Sequence, residues 1–119
     1  MLPNNFCDDE KLYRAILPSV EFWKADGSLS SAAFRDRRGL SVDRGYYRSD
    51  HEVVENMSRR LKGDIVSLTV KDCNNVQALV LYKPSRENIY HSEIHSSNTR
   101  ILLTDSQRKR LAISAKILK

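Results

Sequence analysis

The chain has 119 residues, and its 20 Lys and Arg against 15 Asp and Glu give a formal net charge of +5. This length predicts one domain, and a hydrophobic content of 40% supports a core without a disulfide or a metal ion. No apolar run approaches the roughly 18 residues that cross a bilayer, so we expect no membrane span. The acidic start lacks a signal-peptide pattern, and Cys7 and Cys73 stand far apart, so we expect a cytoplasmic protein.

The first half of the chain predicts a lead, two short strands and a helix. Residues 1–10 are polar and acidic, and we expect them to be flexible. Strands are predicted at residues 11–17 and 40–43, where apolar side chains alternate in part with polar ones. A helix is predicted over residues 50–62, because Ser49 is followed three positions later by a glutamate, which is the spacing of a capping box.

The second half predicts three strands and a last helix. β-branched residues favour strands at 65–70 and 76–82, and the polar residues 72–75 between them predict a hairpin. Another strand is predicted at residues 89–95. The terminal helix is predicted to start at Thr104, because a glutamine follows three positions later and apolar residues recur at helical spacing.

This order of elements favours an α+β fold. Residues 11–119 are expected to form a single domain with a mostly antiparallel sheet, a middle helix and a C-terminal helix.

Positive charge is concentrated in residues 35–62 and residues 100–119. The first stretch contains a loop in which arginines could grip phosphates while tyrosines stack on bases. The second has three consecutive cations near the start of the predicted helix, where the helix dipole does not favour them. The alternative is a solvated surface whose arginines pair with neighbouring acids. The candidate binding residues are Arg44, Tyr46, Tyr47, Arg48, Arg108, Lys109 and Arg110.

His91, Glu93 and His95 form another candidate cluster, because alternate residues of a strand share one face. Two imidazoles and a carboxylate are the ligands of many metal sites, and Glu93 could instead orient a histidine for acid–base chemistry. The spacing is not the helical H-E-x-x-H pattern, and a polar strand edge explains it equally. We therefore predict no metal and keep the three side chains as candidate ligands.

Common catalytic and nucleotide-binding motifs are absent from the sequence. The chain has four glycines and contains neither a phosphate-binding glycine loop nor the G-x-S-x-G pattern of serine hydrolases. No cofactor is predicted.

A set of short motifs occurs in a recurring order: Tyr13-Arg14, Ser30-Ser31-Ala32-Ala33-Phe34, Leu40-Ser41-Val42-Asp43-Arg44 and His91 shortly before Ile94. In this order the chain resembles a widespread family of small uncharacterised bacterial proteins, over about residues 12–94. Members often have Asn-Pro-x-His where this chain has Asn88-Ile89-Tyr90-His91, without the proline. The resemblance implies a bacterial protein and no particular activity.

Arg14, then Ser30 or Ser31, then Glu93 also stand in the order used by ADP-ribosyltransferases. That likeness implies an arginine that holds a phosphate of NAD and a glutamate that stabilises a ribosyl cation.

Two functions follow as hypotheses. The first is a binding protein that acts on a protein or a nucleic acid through a basic face. The second is a small enzyme, ADP-ribosyltransferase-like or metal-dependent, whose pocket would contain Arg14, Ser31, His91 and Glu93. Whether the protein is an enzyme depends on whether Arg14 and His91 share one cleft.

Overall fold

The computed structural model of the chain describes residues 1–118. Lys119, the last residue of the predicted domain and of its basic stretch, lies outside the described residues. The elements follow one another as β1 (Lys11–Ile16), a 3₁₀ turn (Ser31–Phe34), β2 (Leu40–Arg44), α1 (Asp50–Arg60), β3 (Asp64–Thr69), α2 (Val70–Asn75), β4 (Leu79–Tyr82), β5 (His91–His95), α3 (Asp105–Ser114) and β6 (Lys116–Ile117).

The six strands form one sheet in the order β4-β5-β2-β1-β3-β6, and every neighbouring pair is antiparallel. β1 lies inside the sheet and pairs with β3 along its whole length, from Lys11 opposite Thr69 to Ile16 opposite Asp64. This sheet with three helices confirms the α+β class and the mostly antiparallel arrangement.

The two faces of the sheet carry separate cores. On one face, Leu12 and Ile16 of β1 belong to the larger core, which also contains residues of the 3₁₀ turn, α2 and α3. On the other face, Tyr13 packs with Val53 and Met57 of α1. Because successive side chains of β1 point to opposite faces of the sheet, Leu12 and Tyr13 pack into different cores.

Both capping boxes that the sequence predicts are present. The Ser49 hydroxyl accepts from the Glu52 amide and the Glu52 side chain accepts from the Ser49 amide, so α1 begins as expected. Thr104 and Gln107 form the same reciprocal pair at the start of α3. These bonds satisfy amides that have no partner within the helix.

The predicted hairpin at residues 65–82 is wrong. A third capping box, between Thr69 and Asp72, starts helix α2 where a turn was expected. β3 and β4 therefore do not pair with each other. β4 pairs with β5 at one end of the sheet, whereas β3 pairs with β6 at the other end. The terminal helix is also shorter than its apolar pattern, which extends to Leu118, predicts, because α3 ends at Ser114 and β6 follows.

Within residues 1–118, no helix is both long enough and apolar enough to cross a membrane. Cys7 is exposed and Cys73 is buried, and both thiols are free. Burial raises the pKa of Cys73 to about 12.

Candidate functional site

Arg44 ends β2 inside the protein, with 1% of its surface exposed. Its Nε and Nη2 donate to the Glu10 carboxylate at 2.7 and 2.9 Å. Its Nη1 and Nη2 also donate to the carbonyls of Pro3 at 2.5 Å and Asn5 at 3.1 Å. A bidentate, charge-assisted pair of this kind is among the strongest side-chain contacts.

Three aromatic rings surround the same guanidinium. Its carbon lies 4.1 Å from the centre of the Phe6 ring, 4.9 Å from that of Tyr82 and 5.1 Å from that of Tyr46. These distances are those of cation–π contacts. We call Arg44, Glu10 and the three rings the Arg44 centre. It fastens residues of the predicted flexible lead, which has no helix or strand before Lys11, to the sheet.

Residues 45–49, which we call the tyrosine loop, turn the chain from β2 into α1. Tyr46 and Tyr47 both have left-handed backbone, with φ of +45° and +67°. Tyrosine rarely adopts this conformation, because its Cβ approaches the backbone too closely. The Tyr46 amide donates to Glu10, and the Gly45 amide donates to the carbonyl of Lys11. The lead and β1 thereby hold the loop in place.

Tyr47 projects from this loop into solvent, with 91% of its surface exposed. Its ring meets the Tyr46 ring edge to face, with 5.0 Å between the ring centres. Tyr46, in contrast, is half-buried against Arg44. The loop therefore presents one aromatic side chain on a fixed backbone.

Arg48 is directed inward rather than towards a partner. Its Nε and Nη2 donate to the carbonyls of Gly45 and Arg44 at 3.1 and 2.8 Å, and it lies 3.4 Å from the centre of the Tyr90 ring. Desolvation lowers the pKa of Arg48 below its usual value. These contacts correct the expectation that Arg44 and Arg48 grip a phosphate, because both bond to their own chain.

A second polar cluster lies beside the loop at the start of α1. The Lys11 ammonium donates to both oxygens of Asp50 at 2.9 and 3.0 Å, and the Tyr13 hydroxyl donates to the same carboxylate at 2.6 Å. These bonds hold the pKa of Asp50 below its usual range. Burial, and then the bond to Asp50, raise the pKa of the Tyr13 hydroxyl.

The lead and the tyrosine loop together border a cavity of about 520 Å³. Of the charged side chains that line it, Lys11 pairs with Asp50 and Arg44 pairs with Glu10. The remaining two, Asp9 and Arg48, have opposite signs. The cavity is thus nearly neutral, although it lies in a stretch of sequence rich in arginine.

The proposed catalytic residues do not meet in one pocket. Tyr13 lies opposite Asp43, and Asp43 lies opposite His91, so these three side chains share one face of the sheet. Glu93, two positions after His91, shares that face, whereas Arg14 follows Tyr13 and points to the other. This placement separates Arg14 from His91 and Glu93 and corrects the expectation of a shared cleft.

Arg14 has a structural role, because its guanidinium bonds to backbone carbonyls of its own chain. Its Nε donates to the carbonyl of Ala33 at 3.1 Å and its Nη1 to that of Ser41 at 2.9 Å. Desolvation lowers its pKa. Arg14 thus links β1, the 3₁₀ turn and β2.

The histidine cluster is a short polar row on β5. Nε2 of His95 lies 2.8 Å from one oxygen of Glu93, and Nε2 of His91 lies 3.8 Å from the other. Among residues 1–118 no group of three His, Cys, Asp or Glu side chains is arranged to hold a metal ion. The pair of Glu93 and His95 lies close over Gly39, where a Cβ would be 2.5 Å from the carboxylate.

The three consecutive cations of α3 differ in their exposure to solvent. Arg108 is buried and bonds to Asp105 and to the carbonyl of Leu103, which corrects its assignment to a binding surface. Lys109 and Arg110 are exposed. Lys109 and Ser31, predicted for different functions, line one groove, while Arg110 lines another depression.

Three partners of Arg44 were not predicted from the sequence, namely Glu10, Phe6 and Tyr82. Glu10 and Phe6 belong to the lead, whose polar composition indicated flexibility. Nothing in the local pattern connects them with residue 44. No protein-family model matches the chain, and comparisons with curated proteins and with solved structures return no match.

Proposed function

We propose that this chain is a non-catalytic binding protein of the bacterial cytoplasm, and that its tyrosine loop docks on a partner protein. The observation that carries the proposal is Tyr47, an exposed aromatic side chain on a backbone that tyrosine rarely adopts. The two free cysteines support a reducing compartment.

The left-handed backbone of Tyr47 lowers the free energy of unfolding, so stability gives no reason for a tyrosine at this position. A left-handed residue other than glycine or asparagine costs roughly 1–2 kcal/mol. Tyr46 has a compensating contact with Arg44, whereas the Tyr47 ring, which meets the Tyr46 ring edge to face, stays 91% exposed. Strained residues of this kind concentrate at functional sites, where the surrounding structure enforces them. Binding gives a reason for a tyrosine here that stability does not.

A protein fits this surface better than a nucleic acid does. Binding to nucleic acid requires free cations that displace counterions from phosphates. Arg44 and Arg48 bond to their own chain, and the carboxylate of exposed Asp9 beside the loop would repel a phosphate. Tyrosine is enriched at the centres of protein interfaces, where a rigid ring loses little entropy on binding.

Site-specific photo-cross-linking in the native host tests the proposal. The photoreactive amino acid benzoylphenylalanine replaces Tyr47 in one variant and Val20, another fully exposed apolar residue, in the control. We expect a discrete cross-linked protein from position 47 and none from position 20. Excess wild-type protein should abolish the product, and an equal excess of Tyr47→Asn should not. Products of equal yield from both positions would contradict the proposal.

Titration with labelled single- and double-stranded RNA and DNA at two salt concentrations tests the nucleic-acid alternative. Since the loop arginines are internally bonded, we expect no salt-dependent binding that requires Tyr47. Binding at low salt that Tyr47→Asn abolishes would replace the protein partner with a nucleic acid.

A further inference from the structure

A groove of about 490 Å³ lies where the 3₁₀ turn, α3 and β6 meet. Its polar lining comes from Lys24 and Lys109 and from three serines, including Ser31. Within the described residues 1–118, no carboxylate lines it. We call it the serine–lysine groove. Unlike the cavity beside the tyrosine loop, its lining has a net positive charge, although Asp26, which accepts from the hydroxyl of the lining Ser28, partly offsets Lys24.

Apolar side chains lie beside these cations. Ile113 of α3 is 84% exposed and Ile117 of β6 is 49% exposed, and both line the groove with Ala112 and Ala115. Burial of these side chains by a partner is favourable, because Ile113 stays largely in water within the chain and Ile117 is only half covered. The groove thus combines an apolar strip with a cationic rim.

The same place is a free edge of the sheet. β6 is the outer strand at its end, with Lys116 opposite Ser67 and Ile117 opposite Val66. The Leu118 amide donates to the carbonyl of Ile65 at 2.9 Å. Because hydrogen-bonded pairs alternate along antiparallel strands, the amide and carbonyl of Ile117 face away from β3. They can pair with one further extended chain.

We propose that the serine–lysine groove binds an extended acidic segment of a partner protein, which adds to β6 as a seventh strand. Its backbone would bond to Ile117, its apolar side chains would cover Ile113, and its carboxylates would meet Lys24 and Lys109. The net positive charge of the lining, which comes chiefly from Lys109 because Asp26 partly offsets Lys24, selects an acidic segment, and the free edge selects an extended peptide over a compact small molecule. This surface is separate from the tyrosine loop and does not depend on the function proposed for it.

Selection from a phage-displayed library of short random peptides against the purified full chain tests the inference. A fluorescein-labelled synthetic copy of the selected peptide is then titrated by anisotropy. We expect acidic residues combined with Val, Ile or Leu, and a loss of affinity of about tenfold in both Lys109→Glu and Ile113→Asp. Lys71→Glu and Val20→Asp, matched changes at exposed positions outside the groove, should stay within about twofold of wild type.

Amide hydrogen exchange of the complex distinguishes strand addition from other contacts. The Ile117 amide should exchange at least about tenfold more slowly when the peptide is bound. Selection of no peptide, selection of peptides without acidic residues, or equal losses in the control variants would overturn the inference. Two further results would overturn it if peptides do not bind. One is a dimer of this chain that Lys109→Glu abolishes, and the other is binding of an RNA oligonucleotide that the same substitution abolishes. None of these results bears on Tyr47, so the two proposals fail separately.

Discussion

The Arg44 centre and the serine–lysine groove both belong to basic stretches of the sequence, yet they use positive charge in opposite ways. Arg44 is buried, paired with Glu10 and enclosed by rings. Lys24 and Lys109 line an open groove without an acidic neighbour in its lining. The first arrangement holds the chain together, and the second leaves charge available to a partner.

The difference shows that a count of cations along the chain does not locate a binding surface. An arginine can be buried when hydrogen bonds and a carboxylate replace its water, and its charge then acts only inside the protein. Substitutions should therefore separate the two regions, since those in the Arg44 centre change stability and those in the groove change binding.

The largest effect is expected for Arg44→Met. It leaves Glu10, whose side chain is 9% exposed, without its partner, so the free energy of unfolding should fall by about 3–5 kcal/mol in urea titrations. Adding Glu10→Gln should restore part of this loss. Lys24→Met in the groove is the control, with a change below about 0.5 kcal/mol. Equal losses in the two variants would remove the distinction between the regions.

Arg108 and Lys109 test the same distinction at adjacent positions. Arg108→Met removes the bonds to Asp105 and to the Leu103 carbonyl and should cost about 2 kcal/mol. The Nε of Arg108 is buried without a partner among the described residues, which limits the loss. Lys109→Met should change the free energy of unfolding by less than about 0.5 kcal/mol. Urea unfolding of both variants measures the two losses. A larger loss in Lys109→Met than in Arg108→Met would contradict the structural role of Arg108.

Tyr13 makes the region of the tyrosine loop sensitive to alkali. Burial raises its pKa, so its contribution to stability is complete below pH about 10 and is lost as the pH rises further. At pH 11 wild type should have lost about 1.4 kcal/mol more than Tyr13→Phe, because the raised pKa of the buried Cys73 thiol contributes equally to the pH dependence of both proteins. Urea unfolding of both proteins between pH 8 and 11 measures the difference. Parallel pH profiles would show that the Tyr13 hydroxyl titrates normally.

The smallest effect is a gain in stability. Tyr47→Asn relieves a left-handed tyrosine while losing little packing, so the free energy of unfolding should rise by about 0.5 kcal/mol. Tyr46→Asn, which also removes the contact with Arg44, should lower it. If Tyr47→Asn were destabilising in urea titrations, the ring would have a structural role and the case for docking would weaken.

Local features of this fold were predictable because they depend on residues close in sequence. The capping boxes of α1 and α3 each join residues three positions apart, and both follow from the sequence. The box of Thr69 and Asp72 has the same spacing, but the polar residues that follow it also suit a turn, so the sequence does not distinguish α2 from a hairpin.

The Arg44 centre was not predictable in this way. Arg44 and Glu10 are 34 positions apart, and only the pairing of β1 with β2 brings them together. The strand after α2 was assigned to a hairpin for the same reason, since sequence neighbours do not have to be sheet neighbours. The candidates Ser31 and Lys109 proved to be neighbours across a groove, although the sequence assigned them to different functions.

The short contact between β1 and β2 has a consequence for how the molecule moves. These strands meet at two partner pairs, Leu12 with Arg44 and Tyr13 with Asp43, against six pairs between β1 and β3. The sheet is thus two three-stranded halves joined along a narrow seam, and Arg14 bridges the gap where the strands separate. Fluctuations should therefore open the hydrogen bonds of the seam first, with seam amides exchanging ahead of those in β3.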